Sequence, residues 1–413
     1  MKINELVGQT LECPCGKIHE VRTVMVREGK GAISSLARDM CRLAPEGAQV
    51  ALVYEPRCLK EARAVEKELF TAGYLVTMLT PSRPSESEEK YFSAVVGVGE
   101  KSLCDYAKLF AQSLQKKLLL VPLTLNGCAS PLATVCEKDG YVVQKLCNSP
   151  HSVVVDYGLI PPKFNTLACG FGWAVSRLFS AVDYIIVGWL MGERTCRETY
   201  RKIKREVAML VEKVSGLDRR DKSVAQAIAS AGTVISLLEQ GVEGGIYGGE
   251  VAATLCAEML ASHESRRAQS YGESAFLYAT ALVDLYAEGL FLSQKAFLPP
   301  PDNNRRADLI AEYLGIASAV SDKYQKKPLD NLALMKYRAK IYREEILSEL
   351  ADAKKIFSMA KKTFFRLYGD DGFSVDRERE EGALCVALAP DVSEQVTCLD
   401  YLKACGVLDG FLF

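Results

Sequence analysis

The fold of this chain is decided by residues 95–108, VVGVGEKSLCDYAK, where a short apolar run meets two glycines and then a helical pattern. Val95 and Val96 belong to the apolar run, which predicts a buried strand, and Leu103 and Tyr106 recur at helical spacing after the glycines. A strand, a tight turn and a helix start present backbone N–H groups to a phosphate in nucleotide-binding α/β domains. Gly-x-Gly after a strand also occurs as a plain turn, so both interpretations remain open at this point.

Strands and helices alternate on either side of this stretch. Predicted strands cover 49–54, 74–79, 94–96, 118–122, 140–143 and 151–156, and predicted helices cover 60–71 and the segment from the glycine turn to residue 115. Strands that alternate with helices build a parallel sheet, whose ligand site lies at the carboxyl ends of the strands. Glu55, Gly97 to Ser102 and Thr124 to Asn126 fall at those ends, which favours a ligand site there.

Beyond residue 162 the pattern becomes almost wholly helical. Segments with a helical period cover 167–191, 196–214, 223–240, 250–262, 273–293, 306–323 and 331–368. We therefore predict an α/β nucleotide-binding-like domain over residues 1–162 and an all-helical C-terminal domain over residues 163–413. The mixed charge run at 376–381 is interpreted as a solvated face or a loop.

Bulk composition narrows the classes of partner. The 413 residues carry a formal net charge of −1, which argues against nucleic acid or an anionic membrane surface. The longest apolar run, from Val182 to Met191, is interrupted by Asp183 and Gly188 and is shorter than the ~20 residues that span a bilayer. Fourteen cysteines without an N-terminal signal region fit a reducing compartment, so we expect a cytoplasmic protein with no membrane partner.

The segment CPCGKIH at residues 13–19 is compact enough to suggest a metal. A zinc site takes four ligands, whereas Cys13, Cys15 and His19 are three, and no second pair of ligands is close in sequence. The interpretation that we favour is therefore a segment without metal.

A series of short motifs runs along the chain. They are CPCGKIH, the turn at 97–108, VP at 121–122 with NGCASP at 126–131, VD at 155–156 with PP at 161–162, GFG at 170–172, YGGE at 247–250 and YGE at 271–273. In this order they resemble the superfamily of dehydroquinate synthase, glycerol dehydrogenase and the iron-containing alcohol dehydrogenases, and within it the glycerol-1-phosphate dehydrogenase branch. The resemblance covers almost the entire chain. It implies a Rossmann-like domain followed by a helical domain, an NAD(P) cofactor and a phosphorylated polyol as substrate.

The chain departs from this family at the metal. The family holds one divalent cation through an Asp in a Gly-Phe-Gly-Asp turn, a His in Gly-Ser-Glu-His and a His in His-Gly-Glu. The corresponding positions here are Trp173, Val251 and Tyr271. An indole and an isopropyl group offer no ligand, and a phenol with a pKa near ~10 is a poor one at neutral pH. His263 is interpreted as an ordinary surface or capping histidine, so we expect no metal.

The nucleotide turn has changed as well. Glu100 and Lys101 stand where the family has Ser and Gly. Glu100 would repel a phosphate, and Lys101 would attract one but carries a Cβ at a glycine position. Glu55 stands where the family often has an acid for the adenosine ribose. The resemblance thus implies NAD(P) binding with a weakened pyrophosphate site, at Glu55, Gly97, Gly99, Lys101, Ser102, Asp105 and Thr124.

Two functions follow from the resemblance and its departures. The first is a catalytically silent homologue with a binding, assembly or regulatory role, which takes a nucleotide or a phosphorylated small molecule and forms a homodimer or pairs with an active paralogue. The alternative is an NAD(P)-dependent oxidoreductase of phosphorylated polyols, or a related metal-independent enzyme that uses the same cleft. For the alternative, the candidate catalytic residues are Tyr271, Lys108 and Asn126, the last of which replaces an Asp of the family's substrate loop.

Overall fold

The computed structural model describes residues 2–81, 91–136, 142–160, 164–242, 271–292, 301–315, 318–324, 328–369, 378–393 and 396–411. These residues group into two compact units. Unit 1 comprises the described residues within 1–134, 146–170 and 217–244, and unit 2 those within 135–145, 171–216 and 245–413. Both units are discontinuous in sequence, and the predicted domain bounds, 1–162 and 163–413, stay a prediction.

The strands of the described residues are β1 (Thr10–Glu12), β2 (Ile18–Glu20), β3 (Met25–Gly29), β4 (Gln49–Tyr54), β5 (Leu75–Leu79), β6 (Ala94–Gly99), β7 (Lys117–Pro122), β8 (Leu132–Cys136), β9 (Val142–Leu146) and β10 (Ser152–Asp156). Six of them form the main sheet of unit 1, in the order β3-β10-β7-β6-β4-β5. Every pair of neighbours in it is parallel, so the predicted parallel α/β sheet is confirmed. Strand β3 was missed, because Arg27 and Glu28 interrupt its apolar pattern.

The strand order contains a topological switch between β4 and β6. From β4 the chain winds outward to β5, returns to the other side of β4 as β6, and continues through β7 and β10. Where the winding reverses, a crevice opens outside the carboxyl ends of the two strands, and ligands of open α/β sheets bind there. Tyr54 of β4 lies opposite Val98 of β6, so Glu55 and Gly99, which follow, lie at this edge.

Both faces of the sheet are covered by apolar side chains. Val50 and Leu52 of β4 belong to one buried cluster, and Ala51 and Val53 belong to a second cluster. Successive side chains of a strand point to opposite faces, so a strand that is buried on both faces has a continuous apolar sequence. This explains why the strand could be predicted from an unbroken apolar run.

The helices of the described residues are α1 (Leu36–Met40), α2 (Leu59–Thr71), α3 (Lys101–Ser113), α4 (Phe164–Met191), α5 (Arg197–Ser215), α6 (Lys222–Gln240), α7 (Tyr271–Leu292), α8 (Asn303–Leu314), α9 (Leu332–Ile341), α10 (Arg343–Tyr368), α11 (Glu378–Leu388) and α12 (Cys398–Ala404). The mostly helical C-terminal region is thereby confirmed. The predicted helix at 250–262 lies outside the described residues.

Two predicted helices are each divided in the structure. The segment 306–323 ends as α8 because Gly315 takes the left-handed conformation, with φ +65°, and a 3-10 helix follows over Ser318–Tyr324. The segment 331–368 is broken at Tyr342 into α9 and α10. Residues 378–381 of the charge run form the first turn of α11.

Two glycines let α3 lie close to the sheet. A Cβ on Gly97 would lie 2.7 Å from Ala107 Cβ and 2.8 Å from Leu120 Cδ2, and a Cβ on Gly99 would lie 2.7 Å from Leu103 Cδ2. These distances are well below a normal van der Waals contact, so a larger residue would push the helix away. Both glycines therefore have a packing role that does not depend on a phosphate.

Helices α4 and α7 are long and apolar enough to cross a membrane by length and composition alone. In their most apolar windows, 78% of the residues of Thr166–Met191 and 56% of those of Tyr271–Leu292 are buried inside the protein. The sequence analysis did not identify either helix as long enough to span a bilayer, because polar residues such as Asp183 interrupt their apolar runs. Core helices of globular proteins pass the same test, and the expected absence of a membrane partner stays a prediction.

A buried carboxylate ties three helices of unit 2 together. Asp183 of α4 accepts hydrogen bonds from the Tyr286 hydroxyl of α7 at 3.0 Å and from the Cys398 backbone N–H of α12 at 2.9 Å. Burial, and then the Asp183 carboxylate, hold the pKa of Tyr286 above its usual range. The phenol therefore remains a hydrogen-bond donor, and the polar group inside the helical core is satisfied.

Candidate functional site

Glu55, the predicted ribose-binding acid, lies at the carboxyl end of β4 with both carboxylate oxygens hydrogen-bonded. Oε1 accepts from Ser102 Oγ at 2.8 Å, and Oε2 accepts from Arg57 Nε at 2.6 Å. Ser102 lies in the first turn of α3, so its bond joins the ends of β4 and β6 across the topological switch. The structure thus brings two predicted cofactor residues together. Arg57 was missed, although its place in the turn after a predicted strand could have singled it out.

Glu100, the residue before α3, is also held by Arg57. Arg57 Nη2 lies 3.1 Å from Glu100 Oε2, so one guanidinium contacts two carboxylates. The N-terminus of a helix carries a partial positive charge and attracts anions, and a carboxylate placed there competes with a phosphate. Arg57 offsets part of the negative charge that Glu100 brings to this position.

Lys101, Asp105 and Lys108, all predicted at the site, form one ion-paired group along α3. Asp105 Oδ2 contacts Lys101 Nζ at 2.5 Å, and Asp105 Oδ1 lies 3.3 Å from Lys108 Nζ. The same carboxylate accepts from the Thr134 backbone N–H at 3.2 Å, and Lys108 Nζ donates to the Leu132 carbonyl at 2.8 Å. The group therefore connects α3 to the start of β8.

Burial and charge act in opposite directions on this group. Burial raises the pKa of Asp105, but the ammonium groups of Lys101 and Lys108 lower it by more, so that the pKa lies below its usual value. For Lys108, burial lowers the pKa, while the Asp105 carboxylate raises it above the usual range. Asp105 and Lys108 are thus both charged at neutral pH, and Lys108 is poorly suited to act as a general base.

The loop after β7 holds two buried hydroxyl oxygens that have no hydrogen-bond partner within the described part of the chain, Thr124 Oγ1 and Ser130 Oγ. Asn126, between them, is buried and satisfied on its oxygens: Oδ1 accepts from Cys169 Sγ at 3.6 Å, and its carbonyl accepts from Cys128 Sγ at 3.3 Å. A buried hydroxyl without a partner costs about 1–3 kcal/mol. Groups of this kind are rare in proteins unless a ligand or water completes them, so Thr124 and Ser130 mark this loop as a candidate ligand contact.

Trp173 and Tyr271, which the resemblance predicts to stand at two metal-ligand positions, belong to unit 2. Trp173 is only 3% exposed in α4, and the guanidinium carbon of Arg177 lies 5.7 Å from the centre of its ring. The Tyr271 hydroxyl, at the start of α7, accepts a hydrogen bond from Gln144 Nε2 at 3.4 Å. Among the described residues, Trp173 thus has a guanidinium beside its ring, and the Tyr271 hydroxyl has a neutral amide as one of its partners.

The helices that carry these two aromatic residues touch beside them. A Cβ on Gly172 would lie 2.6 Å from the Gly272 carbonyl oxygen, 3.0 Å from Phe364 Cε2 and 3.1 Å from Phe276 Cβ. The two phenylalanine rings stack with their centres 4.4 Å apart. The place where α4 meets α7 is therefore aromatic and closely packed.

Other family positions lie outside the described residues. They are PP at 161–162, YGGE at 247–250 and Val251, and His263, interpreted above as a surface or capping histidine, lies outside as well. Within the described part of the chain, no group of three or more neighbouring His, Cys, Asp or Glu ligands includes a residue of α4 or α7. The predicted roles of the undescribed positions stay predictions.

The CPCGKIH segment of unit 1 does gather metal-ligand side chains. The ligand atoms of Cys13, Cys15 and His19 lie within 4.8 Å of one another. The sequence favoured a segment without metal because three ligands fall short of four. The structure shows that the three converge, so the expected absence of a metal stays an open prediction.

Comparison with known proteins yields distant relatives. No family model matches the chain. A protein of Archaeoglobus fulgidus named glycerol-1-phosphate dehydrogenase is 30% identical over 135 residues, which cover 31% of this chain and 37% of the relative. A protein of Methanosphaera stadtmanae with the same name is 24% identical over 229 residues, which cover 51% and 65%. Both names specify NAD(P)+. The chain thus matches about a third to just under two thirds of the length of these curated relatives.

Solved structures match over more of the chain. The NADH-dependent butanol dehydrogenase A of Thermotoga maritima superposes with a TM-score of 0.56 at 12% identity and covers 98% of both chains. A 1,3-propanediol oxidoreductase gives 0.54 at 13% identity, covering 88% of this chain and 91% of that one. An alcohol dehydrogenase of Oenococcus oeni gives 0.51 at 14% identity, covering 88% and 92%. At these identities the likeness is one of fold.

Proposed function

We propose that this chain, which is distantly homologous to the glycerol-1-phosphate dehydrogenases and has the fold of the glycerol dehydrogenase and iron-containing alcohol dehydrogenase superfamily, is a catalytically silent homologue that binds a nucleotide or a phosphorylated small molecule. Two groups of residues support this proposal. One, in unit 2, concerns the lost metal, and the other, in unit 1, concerns the retained ligand.

The burial of Trp173 carries the proposal. Metal-assisted hydride transfer on this fold requires a cation that polarises the substrate hydroxyl, and the cation requires carboxylate and imidazole ligands. An indole has an N–H donor and no lone pair for a metal. Trp173 is buried in its unit with Arg177 beside its ring, so this side chain offers no ligand at the position that the resemblance assigns to the metal. Tyr271 adds a phenol that is bonded to an amide.

The edge of the sheet in unit 1 supports ligand binding. The first turn of α3 has backbone N–H groups without intrahelical partners, as every helix N-terminus does, and it lies at the topological switch. Lys101 and Arg57 add positive charge, Glu100 subtracts from it, and Thr124 presents a buried hydroxyl that lacks a partner among described residues. We infer that NAD(P) or another phosphorylated molecule binds at this site, and that the site binds the pyrophosphate group only weakly.

The assembly and the compartment are part of the same proposal. A silent homologue acts through binding, so we propose a homodimer or a complex with an active paralogue, located in the cytoplasm. Cross-linking followed by mass spectrometry of the intact complex tests the assembly.

The test compares binding with turnover in the purified chain. Isothermal titration calorimetry with NADH, NADPH and glycerol 1-phosphate measures binding. An NAD(P)H-linked assay on glycerol phosphates with added zinc, nickel or iron measures turnover. The glycerol-1-phosphate dehydrogenase of Archaeoglobus fulgidus serves as the positive control. We expect binding of a nucleotide or phosphorylated ligand without turnover under any metal condition.

Each other result decides against a part of the proposal. Turnover that depends on added metal would show that the metal site survives. Turnover without metal would favour the alternative, a metal-independent oxidoreductase. Absence of binding for all three ligands would contradict the site at the sheet edge.

A further inference from the structure

In the hairpin β1–β2 an apolar residue is exposed and the polar residue next to it is buried. Ile18 is 72% exposed, whereas His19, the next residue along β2, is buried. Neighbouring residues of a strand point to opposite faces, so the register could have buried Ile18 instead. Burying an imidazole is costly unless its nitrogens find partners. The register therefore indicates a specific use for the His19 ring.

Both nitrogens of that ring have partners. Nδ1 is hydrogen-bonded to the carbonyl of Gly241, just beyond the end of α6, and Nε2 lies 3.2 Å from Cys15 Sγ. A carbonyl oxygen only accepts, so Nδ1 must carry the proton, and the neutral ring then has its lone pair on Nε2. An imidazole that donates one N–H to a backbone carbonyl and directs the other nitrogen at a metal is the usual arrangement in metal proteins.

The two cysteines complete the arrangement. Sγ of Cys13, Sγ of Cys15 and the ligand nitrogen of His19 lie within 4.8 Å of one another, and both cysteines are partly exposed. In a tetrahedral zinc site, thiolate and imidazole ligand atoms stand about 3.5–3.8 Å apart. The three atoms are thus separated as zinc ligands are, to within a small shift. The structure forms no disulfide among the described cysteines.

The backbone of the loop permits this convergence. Gly16 takes the left-handed conformation, with φ +80°, and its N–H donates to the Cys13 carbonyl at 2.9 Å. A tight turn therefore separates the two cysteines from β2 and returns the chain toward His19. A Cβ on Gly16 would meet no atom within 4 Å, so the glycine serves the turn rather than packing.

We propose that Cys13, Cys15 and His19 bind a zinc ion that has a structural role, separate from the catalytic metal of the related dehydrogenases. Two thiolates and one neutral imidazole balance the charge of Zn²⁺ and match its preference for sulfur and nitrogen ligands. The hairpin supplies three of the four positions of a tetrahedral site, and the fourth is filled by water or by a donor outside the hairpin.

A zinc ion at this position would stabilise the hairpin β1–β2. Strands β1 and β2 have three residues each, and a two-stranded sheet of this size is marginal without further support. Through His19 and Gly241 the zinc would fix the hairpin to the end of α6. The preceding residue, Gln240, donates to the Ala129 carbonyl at 2.6 Å and to Thr23 Oγ1 at 2.8 Å. The zinc therefore stabilises the same helix end that holds the loop after β7.

The test is the metal content of the full chain, purified without chelators from a zinc-containing medium. We expect about one zinc per chain in the wild type, retention in Cys41→Ser, and loss in Cys15→Ser and His19→Ala. Cys41 is a matched control, since it is exposed and its thiol donates to the Arg38 carbonyl. A wild-type protein without zinc, or zinc retained in all variants, would overturn the proposal, and the Cys15–His19 contact would then be a thiol–imidazole hydrogen bond.

Two further measurements remain decisive if a ligand variant fails to fold. Cobalt(II) added to the metal-free wild type is expected to give the visible absorption of a tetrahedral site, with a charge-transfer intensity of two or three thiolates; fewer than two would overturn the proposal. Gly241→Ala places a Cβ 3.1 Å from His19 Cβ and leaves all ligands in place. We expect it to weaken zinc affinity about tenfold in competition with a chelating dye, and unchanged affinity would contradict the role of His19.

Discussion

Lys108 and Asp105 lie one turn apart on α3 and form an ion pair at 3.3 Å, with side chains that are only 3% and 4% exposed. A buried pair of charges adds little stability compared with apolar residues of similar shape, because both groups have lost their hydration. Removal of one partner is far more costly, because the other charge is left uncompensated. The pair also lies at the predicted nucleotide site, so its charges affect both the stability of the fold and the electrostatic potential at that site.

Asp105→Asn is expected to lower the free energy of unfolding by about 3–5 kcal/mol, because it leaves Lys108 charged and buried without its carboxylate. Urea unfolding followed by circular dichroism measures this. The matched control is Asp284→Asn, which breaks an exposed pair with Lys354 and should cost less than about 1 kcal/mol. Equal losses in the two variants would contradict the structural role of the buried pair.

Asp105 also makes the free energy of unfolding depend on pH, and the direction of its pKa shift gives the sign of that dependence. Its pKa in the folded chain lies below the ordinary value of 3.8, so the folded state releases its proton more readily than the unfolded state. The stabilisation is present above the unfolded pKa and is lost as the pH falls through the folded pKa. Unfolding titrations below pH 4 should therefore show a steeper loss in the wild type than in Asp105→Asn.

Glu28 should act in the opposite direction. Burial raises its pKa above the ordinary 4.5, although a hydrogen bond from Thr233 Oγ1, at 2.7 Å, lowers it in part. The stabilisation is therefore present below the unfolded pKa and is lost as the pH rises through the folded one. Glu28→Gln keeps an acceptor for Thr233 and removes the charge. We expect this variant to lose less stability than the wild type between pH 4.5 and neutrality; parallel curves would contradict the assignment.

Glu100→Gln is expected to tighten the binding of NADH or inorganic pyrophosphate about two- to fivefold at low salt, because it removes a negative charge from the N-terminus of α3. Isothermal titration measures the affinity. Glu212→Gln, an exposed substitution on α5, is the control and should leave the affinity unchanged. A weaker affinity in Glu100→Gln would mean that the carboxylate itself contacts the ligand, as it would if it bound a ribose hydroxyl.

The substitution Thr124→Val tests whether the Thr124 hydroxyl contacts a bound ligand or has no role in binding. Since Thr124 Oγ1 is buried without a partner among the described residues, the nearly isosteric valine should stabilise the ligand-free chain by about 1 kcal/mol. The same change should weaken binding of the phosphorylated ligand about three- to tenfold, while Thr124→Ser, which keeps the hydroxyl, should change it less. A stabilised variant with unaltered affinity would remove Thr124 from the site.

Gly172→Ala should lower the free energy of unfolding by about 1–3 kcal/mol, because its Cβ would lie 2.6 Å from the backbone oxygen of Gly272. Gly216→Ala is the matched control, since the nearest atom to its Cβ lies at 3.9 Å, and its effect should stay within about 0.5 kcal/mol. Equal effects would show that α4 and α7 can separate at little cost.

The sequence predicted the parts of the fold that depend on local pattern. The strand at 49–54 was evident because burial on both faces leaves an unbroken apolar run, and α3 was evident from its helical spacing. By contrast, Arg57 and Glu100 are 43 residues apart, and His19 and Gly241 are 222 apart. No local pattern contains such pairs, so the charge balance around Glu100 and the convergence at His19 could be learned only from the three-dimensional structure.

The burial of Trp173 has an experimental consequence. The chain contains two tryptophans, and the other one, Trp189, lies on the same helix, so both belong to unit 2. Tryptophan fluorescence, excited separately from that of tyrosine, therefore reports directly on unit 2 and not on unit 1, which holds Glu55 and Asp105. Agreement between fluorescence and circular dichroism during denaturation would show that the two units unfold as one, and a disagreement would measure the stability of each separately.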